Sequence, residues 1–294
     1  MSSLEDYKTV LIIGNGFDLS LKYPTSYSDF MKSQYFVDLV LKKNTLAKYL
    51  QYKKGAKNWI DIEKELATYS NLLVREQIPM PVREEKIFST IIESFRTEFG
   101  QLCIALKEYL KDLENLRFNE GFEHSPAYNL IKRISYEREL CYIVNFNYTV
   151  FADKIINCFE NCRDFQIRQI HGSLNKNIVF GVQDSIELKP EHLFLYKSYS
   201  RYQDVRGLPQ ILKNADKIIF FGYSLGETDH SYFDDFFKNQ TKENCRSKSF
   251  VFYHYGQAAY DDLIWQLKLL THDRTSYLNQ YNNIQFEDSS IMLK

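Results

Sequence analysis

The chain of 294 residues sets 37 Lys and Arg against 38 Asp and Glu, a formal charge of −1, with 44% hydrophobic and 26% charged residues. That balance excludes wholesale disorder, and it excludes a surface that tracks a nucleic-acid backbone throughout. The length permits one large domain or two modest ones.

The N-terminal stretch Met1–Asp6 is acidic and no apolar run reaches bilayer length, so neither a signal peptide nor a membrane is expected, and a cytoplasmic location follows as an expectation. Thr9–Ile13 (TVLII) is short, β-branched and followed at once by Gly14, the pattern of a buried parallel strand. From about Tyr27 to Arg138 the pattern is helical. Ile91, Ile92, Phe95, Phe99, Leu102, Leu106 and Leu110 form an apolar stripe over Thr90–Lys111, and Pro79 and Pro81 break the region once. Short apolar runs then resume at Cys141–Asn145, Phe165–His171, Ile178–Val182, Lys217–Gly222 and Phe250–Tyr255, with a last strand near Ile284–Glu287. A helical pattern covers His230–Asn239. This alternation predicts an α/β protein with a Rossmann-like, mostly parallel sheet flanked by helices. Residues 1–294 read as a single domain, with a large helical insertion after the first strand at about 27–138.

Five cysteines, Cys103, Cys141, Cys158, Cys162 and Cys245, are odd in number and scattered, which predicts reduced thiols. Cys158 and Cys162 would share a helix face, but no second pair completes a zinc site, so no metal is expected.

Three strand ends carry compact polar tips. After the first strand, Gly14-Asn15-Gly16-Phe17-Asp18 offers a tight turn and a helix start that a phosphate or ribose could approach, although Leu19 stands where the dinucleotide fingerprint has its third glycine. Asp18 would repel a diphosphate, so it caps the helix or accepts from ribose hydroxyls. Ser26 and Asp29 have capping-box spacing. At the second tip, Asn145 and Asn147 alternate at a strand end, and 24 residues after Asn147 comes His171-Gly172-Ser173. A strand-end amide caps a helix or meets a ligand. A strand-end histidine is an acid/base candidate or a half-buried structural residue. The third tip, Gly222-Tyr223-Ser224-Leu225-Gly226-Glu227-Thr228-Asp229, could place Ser224 on a phosphate and Asp229 on a ribose, or use Thr228 or Asp229 as an N-cap.

Taken in order, LIIGNGFDLSLKYPTSYSDF, NWIDIE, VNFNYT, IHGS and FGYSLGETD resemble the AbiH family, linked to abortive infection by bacteriophage. The family looks like a distant branch of the sirtuin-like NAD-binding fold. By that resemblance Asn147 and His171 match the catalytic Asn and His. The Gly14-Asn15-Gly16 loop and the turn from Gly222 to Ser224 match the cofactor contacts, and Asp18, Asn145 and Asp229 join them as binding candidates from their places at the strand ends. Sirtuin deacylases carry two Cys-x-x-Cys pairs, which this chain lacks, so deacylation is not expected. The resemblance implies an effector that hydrolyses NAD to nicotinamide and ADP-ribose, with NAD as substrate, a phage-derived trigger and a homo-oligomer as partners, and no nucleic acid. Two other readings stand beside it. One is a nucleotide-binding sensor without turnover. The other is a nuclease using Asp61 and Glu63, residues that on one helix would not face each other.

Overall fold

The computed structural model describes residues 7–56, 61–137, 139–160 and 164–291. Cys162 and the Asn58-Trp59-Ile60 part of NWIDIE lie outside the described residues. Along the chain the elements are β1 (Thr9–Ile13), α1 (Asn15–Ser20), α2 (Tyr27–Phe30), α3 (Gln34–Leu41), α4 (Thr45–Ala56), α5 (Ile62–Val74), α6 (Met80–Arg83), α7 (Phe88–Asn115), α8 (Pro126–Glu137), β2 (Cys141–Asn145), α9 (Phe151–Ile156), β3 (Phe165–Gln169), α10 (Leu208–Asn214), β4 (Lys217–Phe221), α11 (Asp234–Gln240), β5 (Ser249–His254), α12 (Gly256–Leu270), α13 (Thr275–Tyr281) and β6 (Asn283–Asp288).

The six strands form one sheet, all neighbours parallel, in the order β3-β2-β1-β4-β5-β6. Ile13 lies between Asn145 and Phe221 in register, so the tips of β1, β2 and β4 end level. β1 and β2 are buried along their whole length, as their unbroken apolar runs require once helices cover both faces. β6 alternates exposed and half-buried residues and β3 is mostly half-buried, because they are the sheet's edges. On one face Val10, Ile12, Tyr142, Val144, Ile218, Phe220, Phe250 and Phe252 join a core with residues of α10, α11, α12 and α13. Toward the other face Phe17 of α1 meets Phe221 edge-on at 6.0 Å, and Arg133 of α8 donates to the Tyr253 hydroxyl.

The chain divides into two compact units. The first holds the sheet and comprises residues 1–23, 117–173 and 204–294; the second comprises 24–116 and 174–203. The helical region expected at 27–138 is thus divided. α8 belongs with the sheet, and residues 174–203 join α2–α7. Helical periodicity reports that a segment is a helix, not which core its apolar face enters.

Within the second unit α7 buries Ile91, Phe95, Phe99, Leu102, Leu106 and Leu110 as expected. Ile92 is 41% exposed, because adjacent helical residues are turned by about 100° and cannot share a stripe. The expected strand at Ile178–Val182 does not form; one isolated bridge joins Val182 to Tyr196. Its aromatic residue is buried by ring packing instead: Phe180 stacks on Phe99 at 6.0 Å. Ser26 caps α2, its Oγ accepting from the Asp29 N–H at 3.1 Å.

At the opposite edge of the sheet from the glycine turns, Lys248 is 3% exposed and donates Nζ–H to the carbonyls of Lys213 and Ala215 at the end of α10. Burial pulls its pKa down to about 8. The unfolded chain keeps the ordinary lysine value, so above about pH 8 it binds a proton that the folded chain has lost. Stability contributed here therefore rises with pH until the unfolded lysine also deprotonates. We expect the melting temperature of the wild type to rise relative to that of Lys248→Met between pH 7.5 and 9.5. Parallel pH profiles for the two proteins would contradict this.

Candidate functional site

Apart from Asp61 and Glu63, the site residues singled out from the sequence lie in the sheet-bearing unit, at the carboxyl ends of β1 to β4. In this strand order the sheet reverses its winding between β1 and β4, where neighbouring connections leave a crevice in open α/β sheets.

The two glycine turns meet at that point. Gly16 N–H donates to the Gly222 carbonyl at 2.8 Å, and Gly14 N–H to that of Phe221 at 3.3 Å. A Cβ on Gly16 would stand 2.5 Å from Gly222 Cα, and one on Gly14 2.8 Å from the Gly222 oxygen. The space these glycines leave is therefore filled by the facing turn. Their lack of side chains is explained by backbone packing across the switch point. Asn15 and Ser224 are exposed at the outer ends of the same two turns.

The loop after β2 is held from three sides. Asn145 Oδ1 accepts the Asn147 N–H at 2.8 Å, and its Nδ2 donates to the Thr149 carbonyl at 3.2 Å. Asn145 is 1% exposed and clamps its own loop, the local backbone mimicry expected of asparagine at a strand end. Gln169 of β3 donates to the carbonyls of Tyr148 and Thr149 at 3.2 and 3.0 Å. Asp18 of α1, 1% exposed, accepts from Asn147 Nδ2 at 3.0 Å and from Thr149 Oγ1 at 2.6 Å. Asn147 Nδ2 also donates to the Gly14 carbonyl at 3.0 Å.

His171 stands beyond β3 with 4% of its surface exposed. Its ring meets Phe146 edge-on at 5.3 Å and Tyr148 at 6.5 Å, so both neighbours of Asn147 touch the imidazole. Its Nε2 lies 3.6 Å from Asp229 Oδ1 and 3.4 Å from the Tyr232 hydroxyl. Asp229 Oδ2 in turn accepts from the Tyr223 hydroxyl at 3.0 Å. The helical pattern at His230–Asn239 resolves into a 3-10 turn over Glu227–Tyr232 followed by α11, and that tighter turn carries Asp229 and Tyr232 to the ring. Leu225, buried at φ 53°, is a rare left-handed leucine, and its carbonyl lies 3.0 Å from His230 Nε2.

The structure thus gathers Asn147, His171, Asp18 and Asp229 around the tips of β1, β2 and β3, with Asn145 in support. Thr149, Tyr223 and Tyr232 were not singled out from the sequence. Thr149 and Tyr223 lie within the landmarks VNFNYT and FGYSLGETD, which was the signal available for them, whereas Tyr232 lies outside every landmark. Asp61 and Glu63 have other tasks in the second unit. Asp61 Oδ1 accepts the Lys64 N–H at the start of α5, and Glu63 pairs with the buried Lys197 at 2.8 Å. Among the described residues no three His, Cys, Asp or Glu side chains gather as a metal site would require.

A parallel sheet wound both ways from a central switch point defines a Rossmann-like α/β protein, and an amide, an imidazole and two carboxylates stand at its carboxyl edge. Residues 10–253 match the family described as bacteriophage abortive infection AbiH, and the chain belongs to that family. The match includes all of the site residues above and places the protein in abortive infection, the defence against bacteriophage. No curated protein matches the chain. Among the described residues no helix is long and apolar enough to cross a membrane.

Proposed function

We propose that this protein is an abortive-infection effector that hydrolyses NAD to nicotinamide and ADP-ribose. One observation carries the reading. The His171 imidazole packs against Phe146 and Tyr148, the two residues that flank Asn147. The resemblance of the Asn and His-Gly tips to sirtuin-like NAD sites supports the same chemistry by analogy.

In that reaction the bond between C1′ of the ribose and the nicotinamide nitrogen breaks, and its electron pair leaves with nicotinamide. The leaving group starts as a cation and departs neutral, so no strong acid has to protonate it. Positive charge develops on the sugar, a water oxygen bonds to C1′, and the water's proton passes to a base. His171 is the base, with Asp229 beside Nε2 to orient the ring and Tyr223 holding that carboxylate. Asn147 meets a ribose hydroxyl or the water. Asn15 and Ser224, exposed on the two packed turns, meet the remainder of the dinucleotide.

The test is to incubate the full-length protein with NAD, with NADP as a parallel substrate, and to follow nicotinamide by chromatography alongside calorimetric titration. Infected-cell extract supplies a trigger where one is needed. We expect nicotinamide release from the wild type and loss of about 10²-fold or more in Asn147→Ala. Saturable binding without product under every condition would assign the site to a sensor instead. Wild-type turnover in Asn147→Ala would remove that residue from the reaction.

A further inference from the structure

We infer that Asp18 is a positioning residue that fixes which end of the Asn147 amide faces the ligand. This rests on the assignment of Asn147 to the NAD site, and it turns a carboxylate that the sequence offered as a ribose contact into a support.

A carboxamide can present either its oxygen or its nitrogen, and the two ends have opposite hydrogen-bonding character. At Asn147 the choice is forced. Both groups facing the nitrogen, the Gly14 carbonyl and Asp18 Oδ1, only accept, and each lies 3.0 Å from Nδ2. Both amide protons are therefore spent inside the protein. The carbonyl at Gly14 is backbone and cannot be reversed, so turning the amide would set oxygen against two oxygens in a buried place. Oδ1 is the end of the amide turned away from those two acceptors, and the residue keeps 8% of its surface exposed.

Asn147 thus offers a ligand an acceptor only. That selects a donor, a sugar hydroxyl or a water, and rejects a phosphate oxygen or a carbonyl in the same position. Asp18 is itself held in place, Oδ1 accepting from Asn147 at 3.0 Å and Oδ2 from Thr149 Oγ1 at 2.6 Å. The sequence separation from Asp18 to Asn147 is 129 residues, yet the parallel register of β1 and β2 brings α1 beside the loop after β2. In Asp18→Asn the buried pocket keeps its shape, but one of the two fixed acceptors becomes an amide that can present a donor. The forced choice at Asn147 is then lost.

The test compares wild type, Asp18→Asn and Thr149→Val as full-length proteins with cooperative melting. The first readout is solvent exchange of the Asn147 carboxamide protons by NMR, which needs no substrate. We expect slow exchange in the wild type and in Thr149→Val, and fast exchange in Asp18→Asn. The second is nicotinamide release. Asp18→Asn should lose about 10²-fold in kcat/KM, carried mainly by kcat as misplacement of a reacting group does, and Thr149→Val far less. Equal exchange in wild type and Asp18→Asn, or unchanged kcat in Asp18→Asn, would overturn the inference. If the wild type releases no nicotinamide, the NAD reading fails while the exchange comparison still decides the role of Asp18.

Discussion

His171→Ala should fold as the wild type does and release nicotinamide from NAD between about 10² and 10⁴ times more slowly, the usual cost of removing a general base. The backbone on which the ring stands does not depend on it. Ile170 N–H donates to the Asn145 carbonyl at 2.9 Å, and the Ile170 carbonyl accepts the Asp204 N–H at 3.1 Å. Truncation removes an edge-on contact with Phe146 and leaves Asp229 with its Tyr223 partner, so the structural loss is local. His171→Gln keeps more of the volume and the capacity to hydrogen-bond, but a carboxamide does not take a proton at neutral pH. It should therefore be as inactive as the alanine variant while melting closer to the wild type. Full nicotinamide release in a folded His171→Gln protein would show that the imidazole is not the base. Loss of activity in step with loss of folded protein would reduce it to a packing residue.

Gly222→Ala should destabilise the sheet-bearing unit by about 3 kcal/mol or more, a large share of the margin of an ordinary domain. Two costs combine there. Gly222 has φ 61°, the left-handed region that costs an L side chain about 1–2 kcal/mol. Its Cβ would also overlap the Gly16 carbonyl carbon and the Phe17 nitrogen, which are backbone atoms with no rotamer to retreat into. Separating the turns would break the hydrogen bond from Gly16 N–H to the Gly222 carbonyl. Gly100→Ala is the control. It lies inside α7 with no atom within 4 Å of the added carbon, so helix propensity should make it stabilising by up to about 1 kcal/mol. Urea unfolding of the three proteins measures both signs, and a Gly222→Ala midpoint equal to the wild type would disprove the account of the switch point.

The two expected outcomes divide the site into a chemical part and a scaffold part, and these were unequally visible beforehand. The runs TVLII, CYIVN, KIIFF and FVFYH have the composition of strands buried on both faces, and each ends in a polar or glycine tip. Sheet class and the three loops were therefore legible. Ile178–Val182 has the same composition and is not a strand, because its Phe180 is buried against the Phe99 ring of α7 instead of by neighbouring strands. Burial selects apolar residues whichever partner supplies it.

Which residues serve as ligand contacts and which as supports is a matter of direction, and one-dimensional pattern carries none. Asp18 and Asp229 both read as ribose acceptors. In the fold each lies against another side chain, Asp18 on Asn147 and Asp229 beside His171. By itself, the sequence determined the parallel α/β class, the positions of the loops and the family's landmarks, because local composition and periodicity encode burial and turns. Only the tertiary structure decided that Gly16 and Gly222 pack on each other, that α8 joins the sheet, and that the Asn147 amide has one polarity. Those facts depend on atoms brought within about 3 Å from positions a hundred or more residues apart, and hydrogen bonds and steric overlap act only at that range.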